Sequence, residues 1–180
     1  TMDLYAPLAN RLGVWQLKWE LEDLSFRFLE PEQYKKIAKM LEEKRVERES
    51  FVVSAIARLE SELKAVDVKA EVSGRPKHIY SIWKKMKGKK VDFDELYDVR
   101  AFRVIVDDIK DCYTVLSILN NLWTPIPKEF DDYISRPKPN GYRSLHTVVV
   151  VDDGRPLEVQ IRTREMHQSS EFGVAAHWRY

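Results

Sequence analysis

Near residue 67 the hydrophobic periodicity of this 180-residue chain changes, and that change limits the folds open to it. Before it, apolar residues recur every three or four positions. In 14–29, Val14, Leu17, Leu21, Leu24 and Phe28 mark one face of a helix. Pro31 opens a second helix in PEQYKKIAKMLEEKR, with Glu32 in its first turn. Residues 47–66 predict a third, with Ile56, Leu59 and Leu63 along one side and Glu60 four residues before Lys64. Beyond residue 67 strands and helices alternate. Strands are expected at 66–72, 98–106, 145–151 and 157–163, the last two joined by an Asp152-Asp153-Gly154 turn. Helices are expected at 76–87, ended by Gly88, and at 110–123 and 164–173. The pattern predicts an α+β or mixed α/β layer architecture with an N-terminal helical arm.

Length and composition narrow the function classes. A chain of this size buries a core without disulfides or metals, and its single Cys112 excludes a disulfide framework and a Cys-rich zinc site. No apolar run spans a bilayer. The N-terminal TMDLYAPLANRLG lacks a basic start before an apolar block, so a reducing cytoplasmic setting without membrane contact is expected. The net charge of +1 argues against bulk electrostatic binding to nucleic acid. Phosphate-loop, dinucleotide-fold, HExxH and GxSxG patterns are missing, so any nucleotide site must be made from side chains.

Three clusters supply such side chains. From Arg75 to Lys90 there are seven basic residues and no acid, leaving 23 basic residues against 29 acidic elsewhere. Arg75 and Lys77 are expected in a first helical turn, where free N–H groups and the helix dipole favour phosphate. Lys84 and Lys85 follow on the helix's non-apolar side, and Lys87, Lys89 and Lys90 are expected to be solvated. The second cluster is acidic. Asp98 is expected to start one strand and Glu158 another, with Gln160 and Arg162 on the same face as Glu158. Two carboxylates from neighbouring strands can hold Mg²⁺; equally, such a stripe can be a water-exposed face with cross-strand ion pairs. The third is DDYISRPKPNGYRSLHT, 131–147. Its Tyr142 can stack on a base, or pack on the loop's prolines while His146 binds a backbone carbonyl.

The stretches EVSGRPKHIYSIWKKM, ELYDVRAFRVIV, FDDYISRPKPNGYRSLHT and LEVQIRTREMHQSSEFGVAAHW resemble the synthetase domain of RelA/SpoT-type alarmone enzymes. The resemblance divides the chain into 1–29, similar to the tail of a preceding hydrolase domain, a helical connector at 30–66 and a synthetase domain at 67–180. A piece of a longer protein is therefore expected. The resemblance implies an α+β, nucleotidyltransferase-like fold, a mixed sheet flanked by helices, and transfer of the β,γ-pyrophosphate of ATP to the 3′-hydroxyl of GTP or GDP, the reaction of the stringent response. Asp98 and Glu158 would hold Mg²⁺, and Glu158 would also be the base. Arg75 and Arg103 would sandwich adenine, with Lys77, Ser81 and Lys85 near the ATP phosphates. Tyr142 would stack on guanine, with Asn140, His146 and Gln160 around the nucleotide and Lys138 at its phosphates. Glu129, Asp131 and Asp132 resemble the acidic motif of synthetase-only members, and two acids in place of two bases should alter metal demand. The resemblance further implies no hydrolysis of the product by this chain, and contact with ribosome and tRNA only through regions outside it. A silent nucleotide- or RNA-binding module of the same fold is the alternative.

Overall fold

The computed structural model describes residues 1–43, 45–75, 77–90 and 100–173, with all side chains there except those at 47, 48 and 89. In chain order the elements are α1 (Tyr5–Arg11), α2 (Trp15–Leu29), α3 (Pro31–Glu43), α4 (Arg45–Ala65), β1 (Ala70–Gly74), α5 (Ile79–Lys89), β2 (Ala101–Val106), α6 (Ile109–Leu122), β3 (Thr124–Pro125), β4 (Asp131–Asp132), β5 (Leu145–Val150), β6 (Pro156–Thr163) and α7 (Arg164–Phe172). A short 3₁₀ turn, Pro127–Glu129, precedes β4. The expected α+β class is what forms.

The chain makes two compact units. One takes Thr1–Val46, Lys77–Leu96 and Gln168–Tyr180, the other Glu47–Pro76 and Tyr97–His167. The units interleave along the chain, whereas the divisions at residues 29 and 66 follow sequence pattern and resemblance.

The second unit is built on a six-stranded mixed sheet in the order β1-β2-β6-β5-β3, with β4 also pairing β5. β2 and β6 run parallel, and the other pairings are antiparallel. Strand alternation sorts the side chains. One face carries Phe102, Val104 and Val106 of β2, Val159 and Ile161 of β6, and Leu145 and Val149 of β5. These pack with Ala55, Leu59 and Leu63 of α4 and Cys112, Val115 and Leu119 of α6 in one apolar core. Each Val, Leu, Ile or Phe among them contributes roughly 1.5–3 kcal/mol by leaving water. Helix α6 is started by Asp108, whose Oδ1 accepts from the Asp111 N–H at 3.0 Å. Burial, with Asp108 and Asp111 nearby, pushes the Cys112 thiol up to about 12, so it stays protonated and unreactive.

The first unit is helical and aromatic. Phe26 of α2 meets Tyr34, Tyr80 and Trp83 at ring separations of 6.2, 5.5 and 4.9 Å.

Several boundaries differ from the expectation. β1 begins at Ala70 rather than residue 66, because the end of α4 continues in a turn through Asp67, whose φ is 56°. Helix α5 runs through Gly88 and ends where Lys90 turns left-handed, at φ 53°. Its start moves from residue 76 to Ile79, so Arg75 and Lys77 precede the helix instead of lying in its first turn. Nor is that helix start open to phosphate. Asp23 of α2 accepts from the Tyr80 N–H at 2.8 Å and the Ile79 N–H at 3.3 Å. A carboxylate of the chain itself thus occupies the end of the dipole.

Candidate active site

The sheet face opposite the apolar core holds the polar side chains. Register places Ser73 of β1 beside Arg103 of β2, Arg103 beside Gln160 of β6, Gln160 beside His146 of β5, and His146 beside Asp131 of β4. One polar row thus crosses five strands. Glu158 lies two residues before Gln160 and faces the same way.

Far from being a water-exposed stripe, the β6 part of this face is buried: Glu158 is 8% exposed, Gln160 3% and Arg162 1%. Polar groups removed from water need partners. Arg75 lies just past β1, its N–H bonded to the Ala101 carbonyl at 2.9 Å. Its Nη1 donates to Glu158 Oε1 at 3.0 Å, and Gln160 Nε2 approaches the same oxygen at 3.5 Å. Arg162 Nη2 lies 2.7 Å from Nδ1 of His167 on α7. Because an arginine only donates, that imidazole accepts at Nδ1.

The aromatic loop closes the edge near β4. Asn140 Oδ1 accepts from the Tyr142 N–H at 3.2 Å, and Gly141 takes φ 79°, a conformation that suits glycine. Lys138 closes the turn with its N–H on the Tyr142 carbonyl. This brings the Tyr142 hydroxyl to 2.8 Å from His146 Nε2. The partner of His146 is therefore a phenol rather than a backbone carbonyl, and Tyr142 meets the rings of Tyr133 and His146. Tyr133 stands edge-on to both, at 6.1 Å from Tyr142 and 5.3 Å from His146. The Lys138 ammonium sits 4.3 Å from the Tyr133 ring centroid and 5.5 Å from that of Tyr142. Burial pushes His146 down to about 3, Glu158 opposes the shift, and Arg75, Lys138 and Arg162 add to it. A neutral imidazole is thus held among three cations and one carboxylate.

The acidic motif divides between the two faces. Asp131 pairs with His146 on the polar side. Asp132 turns the other way, where its oxygens accept from the N–H groups of Ile134 and Ser135 and the hydroxyls of Ser135 and Tyr113. Burial raises its pKa, but these four donors outweigh it and hold the carboxyl below the usual range. Asp132 is a turn-forming residue. Glu129 ends the 3₁₀ turn.

Arg75, Arg103, Glu158, Gln160, His146, Tyr142, Asn140 and Lys138 all belong to the second unit. Lys77, half-buried Ser81 and exposed Lys85 belong to the first, the latter two on α5. Asp98 lies outside the described residues. Sequence reasoning missed Tyr133 and His167. Tyr133 gave no periodic signal, because β4 is two residues long. His167 was visible only as part of a helix.

One sheet face thus gathers a buried acid beside an arginine, a neutral imidazole and a tyrosine ring. The chain belongs to the family described as the region found in RelA / SpoT proteins, which matches residues 74–180. Among its relatives, the GTP pyrophosphokinase of Escherichia coli (strain K12) is 56% identical over 178 residues, 99% of this chain and 24% of that protein. A Synechocystis protein named a probable guanosine-3′,5′-bis(diphosphate) 3′-pyrophosphohydrolase is 50% identical, over 100% of this chain and 24% of its own length. The chain thus spans about a quarter of the curated relatives it matches. The small alarmone synthetase 1 of Bacillus subtilis, solved bound to its product pppGpp, shares the fold with a TM-score of 0.56 and 26% identity, covering 74% of this chain and 76% of that one.

Proposed function

We propose that this chain is the synthetase domain of a GTP/GDP 3′-pyrophosphokinase, which moves the β,γ-pyrophosphate of ATP onto the 3′-hydroxyl of GTP or GDP and releases AMP. The observation that carries the reading is Glu158: a buried carboxylate flanked by Arg75 and Gln160, on one face with the Tyr142–His146 pair. The names of the E. coli and B. subtilis relatives support it.

The roles follow from the groups. Glu158 takes the proton of the 3′-hydroxyl as the new O3′–phosphorus bond forms. The bond between the ATP β-phosphorus and the α,β-bridging oxygen then breaks, and AMP leaves with the electron pair. Arg75 and Arg103 clasp adenine, so Arg75 leaves Glu158 as ATP arrives and frees the carboxylate. Lys77, Ser81 and Lys85 meet ATP phosphates. Tyr142 stacks on guanine, Lys138 meets the acceptor's phosphates, and Asn140, His146 and Gln160 surround the rest.

Glu158 with Asp98 would hold Mg²⁺. A buried carboxylate is a hard oxygen donor. Among the described residues no group of three or more His, Cys, Asp or Glu side chains gathers, and Mg²⁺ commonly takes one or two protein carboxylates with water and substrate phosphate. When bound, the cation neutralises charge on the transferring phosphates.

Incubating the chain with ATP, GTP and Mg²⁺ tests the reading. Equal amounts of AMP and pppGpp support it. Released pyrophosphate identifies a general nucleotidyltransferase, and nucleotide binding without AMP identifies a silent binding module. The chain is also proposed not to hydrolyse the product. Loss of added pppGpp on incubation with the chain alone would overturn that, a test the naming of the Synechocystis relative makes pertinent.

A further inference from the structure

We propose that Tyr133 is a positioning residue for the acceptor nucleotide, holding Tyr142, His146 and Lys138 in the arrangement that receives guanine. The inference rests on the synthetase reading and adds a residue to that site.

The Tyr133 side chain meets four others, aimed at them by its own backbone. Its N–H bonds the Ser144 carbonyl at 3.0 Å, extending the β4–β5 ladder by one residue. Alternation therefore turns the Tyr133 ring to the side of Asp131 and His146, and away from that of Asp132. There the ring stands at 88° to His146 and 63° to Tyr142, edge-on geometry that favours aromatic pairs. Lys138 lies nearer to this ring than to that of Tyr142. The hydroxyl faces the Asp131 carboxylate, which, after burial, raises its pKa. Tyr133 is thus the common neighbour of every side chain proposed to meet guanine except Asn140 and Gln160. Without it, the Tyr142 hydroxyl keeps one bond to His146, but both rings lose the edge that sets their tilt, and Lys138 loses its nearer ring.

Steady-state kinetics of the whole chain test this. Tyr133→Ala should raise the KM for GTP at least tenfold while the KM for ATP stays within twofold. Tyr133→Phe, which keeps the ring, should restore the GTP KM to within threefold of the parent. An unchanged GTP KM in a folded Tyr133→Ala chain overturns the proposal, as does an equal rise in both KM values. If Tyr133→Ala does not fold, Tyr133→Leu replaces it; if neither folds, Tyr133 is a core residue and the proposal fails. Equilibrium binding of GTP, measured on the same proteins, separates the two levels. A parent chain that binds GTP but forms no AMP fails the synthetase reading, while the binding ratio between parent and variant still decides the role of Tyr133. A parent chain that does not bind GTP overturns both.

Discussion

β6 has two faces, and both are buried. On one side Val159 and Ile161 are fully enclosed in the apolar core; on the other Glu158, Gln160 and Arg162 are enclosed almost as completely. Burial alone therefore does not distinguish structure from function. The difference is thermodynamic. Enclosing Val159 and Ile161 stabilises the fold, whereas enclosing the polar three carries a desolvation cost that their partners must offset. The proposed chemistry is placed on the face that keeps an acid, an amide and an arginine out of water.

Substitutions on the two faces should separate accordingly. The largest effect is expected at Glu158: Glu158→Gln should lower AMP formation by a factor of about 10²–10⁴, with ATP binding kept. Turnover equal to the parent's would remove Glu158 as the base. On the apolar side, Ile161→Ala should cost about 2–5 kcal/mol of stability, read by denaturant unfolding. A cost below about 1 kcal/mol would mean that this face is less tightly packed than it looks. Tyr142→Ala should weaken GTP binding by about 1–3 kcal/mol, roughly 5- to 150-fold, and leave ATP affinity alone. Unchanged GTP affinity would break the assignment of guanine to this ring. The smallest effect concerns acid. In the unfolded chain His146 gains its proton below about pH 6.5, while in the fold it stays neutral down to about 3. The unfolded state then binds the extra proton, so stability falls as pH drops from 6.5 towards 3. Moving from pH 7 to 5.5 should cost about 1 kcal/mol through this group. His146→Gln should flatten that slope, and an identical slope in parent and variant would show that the imidazole is open to water.

Much of this was legible in the sequence. The switch of period near residue 67 located the long helices and the strands β2, β5 and β6, because each is long enough to repeat its pattern. The stripe Glu158–Gln160–Arg162 followed from alternation, and the Asn140–Gly141 turn from the left-handed preference of glycine. Less legible were contacts made at a distance. Nothing local says that Asp131 and Asp132 serve opposite faces, since that depends on a two-residue pairing with β5. Nor does sequence spacing reveal that Asp23 caps a helix 56 residues further on, or that the stripe is enclosed rather than wet.

That capping carboxylate bears on where the protein can be cut. Similarity to the family begins at residue 74, which invites trimming everything before it. Yet the backbone at the start of α5, the helix that carries Ser81 and Lys85, is completed by Asp23, and the Trp19 ring lies 4.8 Å from the adjacent His78. A chain shortened to the region of similarity would leave two amide hydrogens without their acceptor and strip an aromatic ring from the helix entrance. A piece that keeps the start of α5 complete is therefore longer than the family boundary and includes α2.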